Sequence, residues 1–183
     1  MIDEIMVDAE EHFDKAIQAF QRESGKLRTG RATPTLLDSV KVDYYGVATP
    51  LSQVASVSVV DARLLQVKPW EKKMVAPIEK AIMTSDLGLT PSNRGEVVLV
   101  PIPALTGDRR REMVKLLRAE GEKAKVSIRA GRRDALDMLE TLDDMSEDDI
   151  HRAKKSVQDR VDEAVKRVES LVEAKEAEIL KGP

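Results

Sequence analysis

The sequence contains no cysteine and few aromatic residues, and these shortages exclude several classes of function. Without cysteine, the 183-residue chain forms no disulfide, has no thiolate nucleophile and builds no cysteine-ligated zinc site. Aromatic residues make up 3% of the chain, and its two histidines, His12 and His151, are predicted to be surface residues. No G-x-S-x-G or G-x-G-x-x-G motif occurs. We therefore predict a protein that is not an enzyme and that uses no cofactor or metal.

Long hydrophobic runs are also missing. No apolar run approaches the roughly 20 residues of a membrane span, and the acidic first residues lack the apolar region of a signal peptide. Hydrophobic residues are 42% of the chain and charged residues 34%, a composition typical of long amphipathic helices that enclose a core. We expect a soluble, cytoplasmic protein that makes no membrane contact.

Positive charge is concentrated in one segment. Residues 109–133 carry ten lysines and arginines against three acidic residues, a net charge of +7 in a chain whose total is −3. Six of the basic residues recur at spacings of three, four or seven and so share one side of a predicted helix: Arg111, Lys115, Arg118, Lys125, Arg129 and Arg132. Such a one-signed stripe indicates a surface that contacts the phosphates of RNA or DNA. The alternatives are a solvated charged face and salt bridges to acidic helices of the same chain.

Three segments show the heptad spacing of bundle helices. They are residues 1 to about 28, the basic segment from Thr106 to about Asp143, and the segment that opens at Ser146. Ser146 is followed three residues later by an acid, as in a capping box. We predict that these helices, from both ends of the chain, pack as a three-helix bundle.

The residues between the first two of these helices follow a different pattern. Alternating and β-branched runs predict four strands between residues 35 and 104, with one helix over residues 75–87, and therefore a small inserted α/β domain. The adjacent Tyr44 and Tyr45 are predicted to face opposite sides of a strand, one in the core and one on the surface. Trp70 is predicted to be a packing anchor.

Five blocks spread over nearly the whole chain resemble the signature blocks of the ribosome recycling factor family. They are residues 27–34 (LRTGRATP), 43–46 (DYYG), 85–91 (SDLGLTP), 101–106 (PIPALT) and 132–135 (RRDA). The resemblance implies an α+β fold, in which a long three-helix bundle carries a small inserted α/β domain, a β/α/β sandwich, in an L-shaped, tRNA-like molecule.

The same resemblance implies domain boundaries. Domain I would comprise residues 1–30 plus 105–183, and domain II residues 31–104, with hinges near 28–35 and 101–105. The expected hinge residues are Gly30, Thr33, Pro34, Pro101 and Pro103.

The resemblance also implies a function. Members bind the post-termination ribosome and, with elongation factor G and GTP hydrolysis by that partner, promote its splitting into subunits and its release from mRNA. Contacts to large-subunit ribosomal RNA are implied for Arg28, Arg31, Arg110, Arg129, Arg132 and Arg133, to which the basic stripe adds Lys115, Arg118 and Lys125. We expect a monomer. The alternative is an acidic helical scaffold or interaction protein whose basic stripe docks an acidic partner.

Overall fold

The computed structural model describes residues 1–181, which form two compact units. The first unit joins Met1–Arg28 to Gly107–Lys181, and the second is the segment Thr29–Thr106 between them. Each unit encloses a hydrophobic core of its own. Among the described residues, no helix combines the length and the apolar character that crossing a membrane requires.

The elements follow one another along the chain in a helix–sheet–helix order. They are α1 (Ile2–Gly25), a 3-10 helix (Pro34–Leu37), β1 (Lys41–Tyr44), β2 (Val47–Pro50), α2 (Leu51–Val54), β3 (Ala55–Asp61), β4 (Leu64–Pro69), a second 3-10 helix (Lys72–Met74), α3 (Val75–Met83), β5 (Ser92–Asn93), β6 (Val98–Pro101), α4 (Gly107–Glu140) and α5 (Glu147–Lys181). The mixed fold class predicted from the sequence is confirmed.

Helices α1, α4 and α5 pack against one another in the first unit. Their buried residues recur at spacings of three and four, so that each helix turns one apolar face inward. Leu117 and Ile128 of α4 and Val157 of α5 are fully buried in the shared core. The Ser146 Oγ accepts a hydrogen bond from the Asp149 N–H at 3.1 Å, which confirms the predicted start of the last helix.

A glycine allows α4 and α5 of the first unit to approach closely. A Cβ atom at Gly121 of α4 would lie 2.8 Å from Cγ2 of Val172 in α5.

The prediction that His12 is a surface residue is wrong. This histidine is half-buried between α1 and α4, where its Nε2 donates to the Ser127 carbonyl oxygen at 2.9 Å. His151 is exposed, as expected.

The second unit contains two antiparallel sheets. One pairs β1 with β2, and the other has the strand order β3-β4-β6-β5. Helix α3 contacts β1 of the first sheet and β5 and β6 of the second, with Ile78 and Ile82 fully buried. The sequence predicts four strands in this unit, whereas the structure has six. Strand β5 has only two residues, and the four residues of β2 (VATP) do not alternate between buried and exposed positions. Helix α3 ends four residues earlier than predicted, where the hydroxyls of Thr84 and Ser85 bond to carbonyls of its last turn.

Tyr44 packs half-buried against the core of this unit and Tyr45 is exposed, as predicted, but the predicted geometry of the pair and the prediction for Trp70 need correction. Tyr45 lies beyond β1 in a two-residue turn with a positive φ of 50°, so it does not alternate with Tyr44 as a strand residue would. The two rings instead pack edge to face, with centroids 4.6 Å apart. Trp70 is not a packing anchor, since it is 65% exposed.

Candidate nucleic-acid interface

Helix α4 carries the predicted basic stripe along its length. Its buried residues face α1 and α5, and at about 100° per residue the cations fall into two rows on the remaining surface. Lys115, Arg129 and Arg133 form an outer row, within about 40° of one another and on the side away from the buried positions. Arg118, Lys125 and Arg132 lie nearer to α5. The stripe is therefore not one uniform surface.

Two cations of the inner row are paired with carboxylates of α5. Arg118 Nη2 lies 2.5 Å from Glu176 Oε1, and Lys125 Nζ lies 3.2 Å from Glu169 Oε1. The Lys125 side chain is only 21% exposed, which fits a contact between helices better than one with an external ligand. At these two positions the structure agrees with the alternative of intramolecular salt bridges.

The basic residues at the start of α4 also make contacts within the first unit. Arg110 is half-buried, and its Nη1 donates to the Leu180 carbonyl oxygen at 3.4 Å, while its buried Nε has no hydrogen-bond partner. Leu180 lies in the last turn of α5, where a cation is favoured by the helix dipole. Arg111 pairs with Asp108 one turn earlier in its own helix. Arg110 therefore contributes to holding the end of α5.

The end of the stripe has a different environment. Arg129, Arg132 and Arg133, which we call the arginine cluster, are exposed and form no ion pair with any carboxylate of residues 1–181. Arg132 Nε donates to Gln158 Oε1 at 2.7 Å, and the Gln158 amide in turn donates to Asp162 at 2.9 Å. A neutral amide thus orients the Arg132 guanidinium without cancelling its charge. Three like charges within two turns repel one another, and this cost is relieved when an external anion binds.

Arg28 and Arg31, which the family resemblance also implies as RNA contacts, fall on opposite sides of the division between units. Arg28 is the last residue of the first unit, and Arg31 belongs to the second. Both are exposed. The structure therefore does not bring Arg31 together with the arginine cluster inside one unit, and the roles of both residues stay predictions.

The segments by which the chain enters and leaves the second unit are both hydrogen-bonded to the turn that joins β3 and β4. Ala32 N–H donates to the Ala62 carbonyl at 2.8 Å, and Ile102 N–H donates to the Arg63 carbonyl at 2.8 Å. Ala32 and Ile102 are buried in the core of the second unit.

These two bonds bear on the five expected hinge residues. All five belong to the second unit, Thr29–Thr106. Thr33, Pro34 and Pro101 lie on the inner side of the anchored residues. Gly30, with a positive φ of 79°, and Pro103 lie on the outer side.

The residues predicted from the sequence to form the site do not include the α5 carboxylates that pair with Arg118 and Lys125. Glu169, Glu173 and Glu176 recur at spacings of four and three, the same spacing that identifies the stripe itself. This acidic row on the neighbouring helix is the signal that predicts which cations are paired within the chain.

A family model described as ribosome recycling factor matches residues 20–180 of this chain. The chain is similar to the ribosome-recycling factor of Sorangium cellulosum, with 49% identity over 98% of this chain and 99% of that protein. It is also similar to the ribosome-recycling factor of Burkholderia ambifaria, with 51% identity over 93% of this chain and 94% of that protein.

Solved structures give the same result. A solution structure of ribosome recycling factor superposes with a TM-score of 0.74 and 38% identity, covering 98% of this chain and 97% of that one. A second match, with a TM-score of 0.62 and 41% identity, covers 98% of this chain and 99% of that one. It is the T. thermophilus ribosome recycling factor, which with E. coli elongation factor G is described as bound to the E. coli post-termination complex.

Proposed function

The chain belongs to the ribosome recycling factor family, and we propose that it binds the post-termination ribosome and, with elongation factor G and GTP, splits it into subunits and releases it from mRNA. We propose that the chain is a cytoplasmic translation factor and not an enzyme, so that GTP would be hydrolysed by elongation factor G. We further propose that the chain acts as a monomer.

The arginine cluster is the observation that carries this proposal. Arg129, Arg132 and Arg133 present three exposed guanidinium groups in the C-terminal half of α4 without a compensating carboxylate in the described chain. Each guanidinium has a planar set of donors that matches two oxygens of a phosphate. We assign the contact with large-subunit ribosomal RNA to these three residues and to Lys115 in the outer row. We assign Arg110, Arg118 and Lys125 to holding α5 against α4.

The two units are proposed to have separate roles. The first unit, with its arginine cluster, would bind ribosomal RNA as domain I, and the second would move as domain II when elongation factor G acts. The bonds from Ala32 and Ile102 to the β3–β4 turn support pivots outside these residues, at 28–31 and 103–105. We therefore narrow the hinge to these two short segments.

Sedimentation with purified ribosomes tests this function directly. We expect the chain to sediment with post-termination ribosomes, and the bound fraction to fall steeply with salt because RNA binding releases counterions. Adding elongation factor G and GTP is expected to convert ribosomes into subunits on a sucrose gradient. A chain that stays in the supernatant at low salt, or ribosomes that remain whole with all components present, would contradict the proposal.

A further inference from the structure

The turn between β1 and β2 holds an aromatic side chain in an unusual backbone conformation. Tyr44 pairs with Val47, which leaves Tyr45 and Gly46 as a two-residue turn in which both have positive φ, 50° and 85°. Such turns favour asparagine, aspartate or glycine at the first position, and a bulky residue there is rare. A conformational cost at an exposed position indicates that the ring is needed where the turn places it.

A carboxylate from a distant part of the chain fixes both tyrosine rings. The Tyr44 hydroxyl donates to Glu71 Oε1 at 2.8 Å, and the Tyr45 hydroxyl donates to Glu71 Oε2 at 2.9 Å. Each oxygen of Glu71 therefore accepts one phenolic hydrogen bond. The geometry orders the rings and the carboxylate before any ligand binds, which lowers the entropy cost of binding.

The cluster of Tyr44, Tyr45 and Glu71 is open to solvent and carries the negative charge of the Glu71 carboxylate. Tyr45 is 71% exposed, and Trp70, the residue before Glu71, is 65% exposed. Hydrogen bonds from the two tyrosines hold the pKa of the Glu71 carboxyl below its ordinary value, so it stays ionised near neutral pH. Within residues 1–181 Glu71 forms no salt bridge, although the positive charge of nearby Lys73 also helps to lower its pKa.

We propose that Tyr44, Tyr45, Trp70 and Glu71 form a docking site for an arginine or lysine side chain of a protein partner. The carboxylate supplies the opposite charge, and the ring faces attract a cation. Exposed tryptophan and tyrosine are the side chains that most often dominate protein–protein binding. A nucleic acid fits poorly because Glu71 would face phosphate groups of the same sign, and both tyrosine hydroxyls already donate to that carboxylate.

The inference rests on the proposed function, since it takes the partner to be a protein encountered on the ribosome. Purified ribosomes, with and without elongation factor G and GTP, are therefore the probe. The test compares Glu71→Gln, which removes the charge and leaves an amide oxygen as an acceptor, with Glu96→Gln. Glu96 is an exposed acid of the same unit, and both tyrosine hydroxyls bond to Glu71 rather than to it. A second pair is Trp70→Ala with Met83→Ala, both at exposed positions of the second unit.

We expect Glu71→Gln and Trp70→Ala each to reduce ribosome binding or factor-dependent splitting by roughly tenfold, while both controls behave like the wild type. A loss without elongation factor G assigns the basic side chain to a ribosomal protein, and a loss only in its presence assigns it to that factor. Tighter binding by Glu71→Gln would show that the site faces phosphates and would overturn the assignment to a protein. Wild-type behaviour of both variants would overturn the docking site. Failure of the wild-type chain itself would instead contradict the proposed function.

Discussion

Gly131 of α4 lies directly against the imidazole ring of His12 in α1. A Cβ atom at Gly131 would be 2.5 Å from Cδ2 and 3.0 Å from Cγ of that ring, well inside van der Waals contact. The ring in turn donates from Nε2 to the Ser127 carbonyl one turn earlier. Glycine costs about 1 kcal/mol relative to alanine in a helix interior, and the room for His12 is what offsets that cost. Gly131 lies between Arg129 and Arg132, so this contact sets the packing of α1 against the segment that carries the arginine cluster.

Replacing this glycine is expected to destabilise the first unit. Gly131→Ala gains helix propensity but forces the His12 ring away from the Ser127 carbonyl, and we expect a loss of about 1–3 kcal/mol in the free energy of unfolding. The measurement is urea unfolding followed by circular dichroism. Gly25→Ala is the matched control, because a Cβ atom at Gly25 meets nothing within 4 Å. Equal stability of the two variants would contradict the steric explanation.

The division of the basic stripe predicts opposite results for two arginines of α4. Arg132→Gln is expected to weaken ribosome binding and to lower the slope of log affinity against log salt by about 1, with little change in melting temperature. Arg118→Gln removes the pair with Glu176, so we expect at most about 1 kcal/mol of lost stability and unchanged ribosome affinity. Binding constants over a salt series measure both effects. If Arg118→Gln lowers the slope as much as Arg132→Gln does, the inner row also contacts RNA.

The bundle could be predicted from the sequence because its signal is periodic and long. Apolar residues at spacings of three and four along α4 and α5 match the faces that are buried. The cap at Ser146 was also visible, since a serine followed by acids is a local pattern. These features depend on residues that lie within one or two turns of each other in the same helix.

Features that depend on contacts between distant parts of the chain could not be predicted from the sequence. The Tyr45 position follows from a two-residue turn whose register is set by the pairing of β1 with β2. Its carboxylate partner, Glu71, lies 26 residues away. The pairing of Lys125 with Glu169 likewise requires the alignment of α4 against α5. The sequence gives the chemistry of each residue but not its partner across the fold.

The hinge boundaries predict a pattern of amide exchange. We expect the N–H groups of Ala32 and Ile102 to exchange slowly with solvent deuterium, because each is buried and bonded to the β3–β4 turn. Exchange is expected to be faster for Arg31 and Ala104, which lie in the proposed pivot segments. Hydrogen exchange followed by NMR resolves these residues individually. Rapid exchange at Ala32 and Ile102 would place the pivots further into the second unit.

The two tyrosines of the chain give a spectroscopic test of the Glu71 cluster. The hydrogen bonds to Glu71 raise the pKa of both Tyr44 and Tyr45 above the ordinary value of 10.0, because ionisation removes the donated proton and sets a second negative charge beside the carboxylate. The tyrosinate absorbance of the native protein should therefore rise at higher pH than that of free tyrosine. In Glu71→Gln the titration should move down toward the ordinary value, since the charge is gone.

Because of the same hydrogen bonds, we expect the stability of the fold to depend on pH at both the acidic and the alkaline end of the scale. Because the folded-state pKa of each tyrosine is raised, their contribution to stability is complete below pH 10 and is lost as the pH rises through the folded-state pKa. The Glu71 pKa is lowered, so its contribution is present above the ordinary carboxyl value and is lost as the pH falls through the folded-state pKa. Thermal melts of the wild type and of Glu71→Gln should thus differ most near neutral pH and converge at both extremes. Curves separated by a constant amount at every pH would show that Glu71 does not act through these bonds.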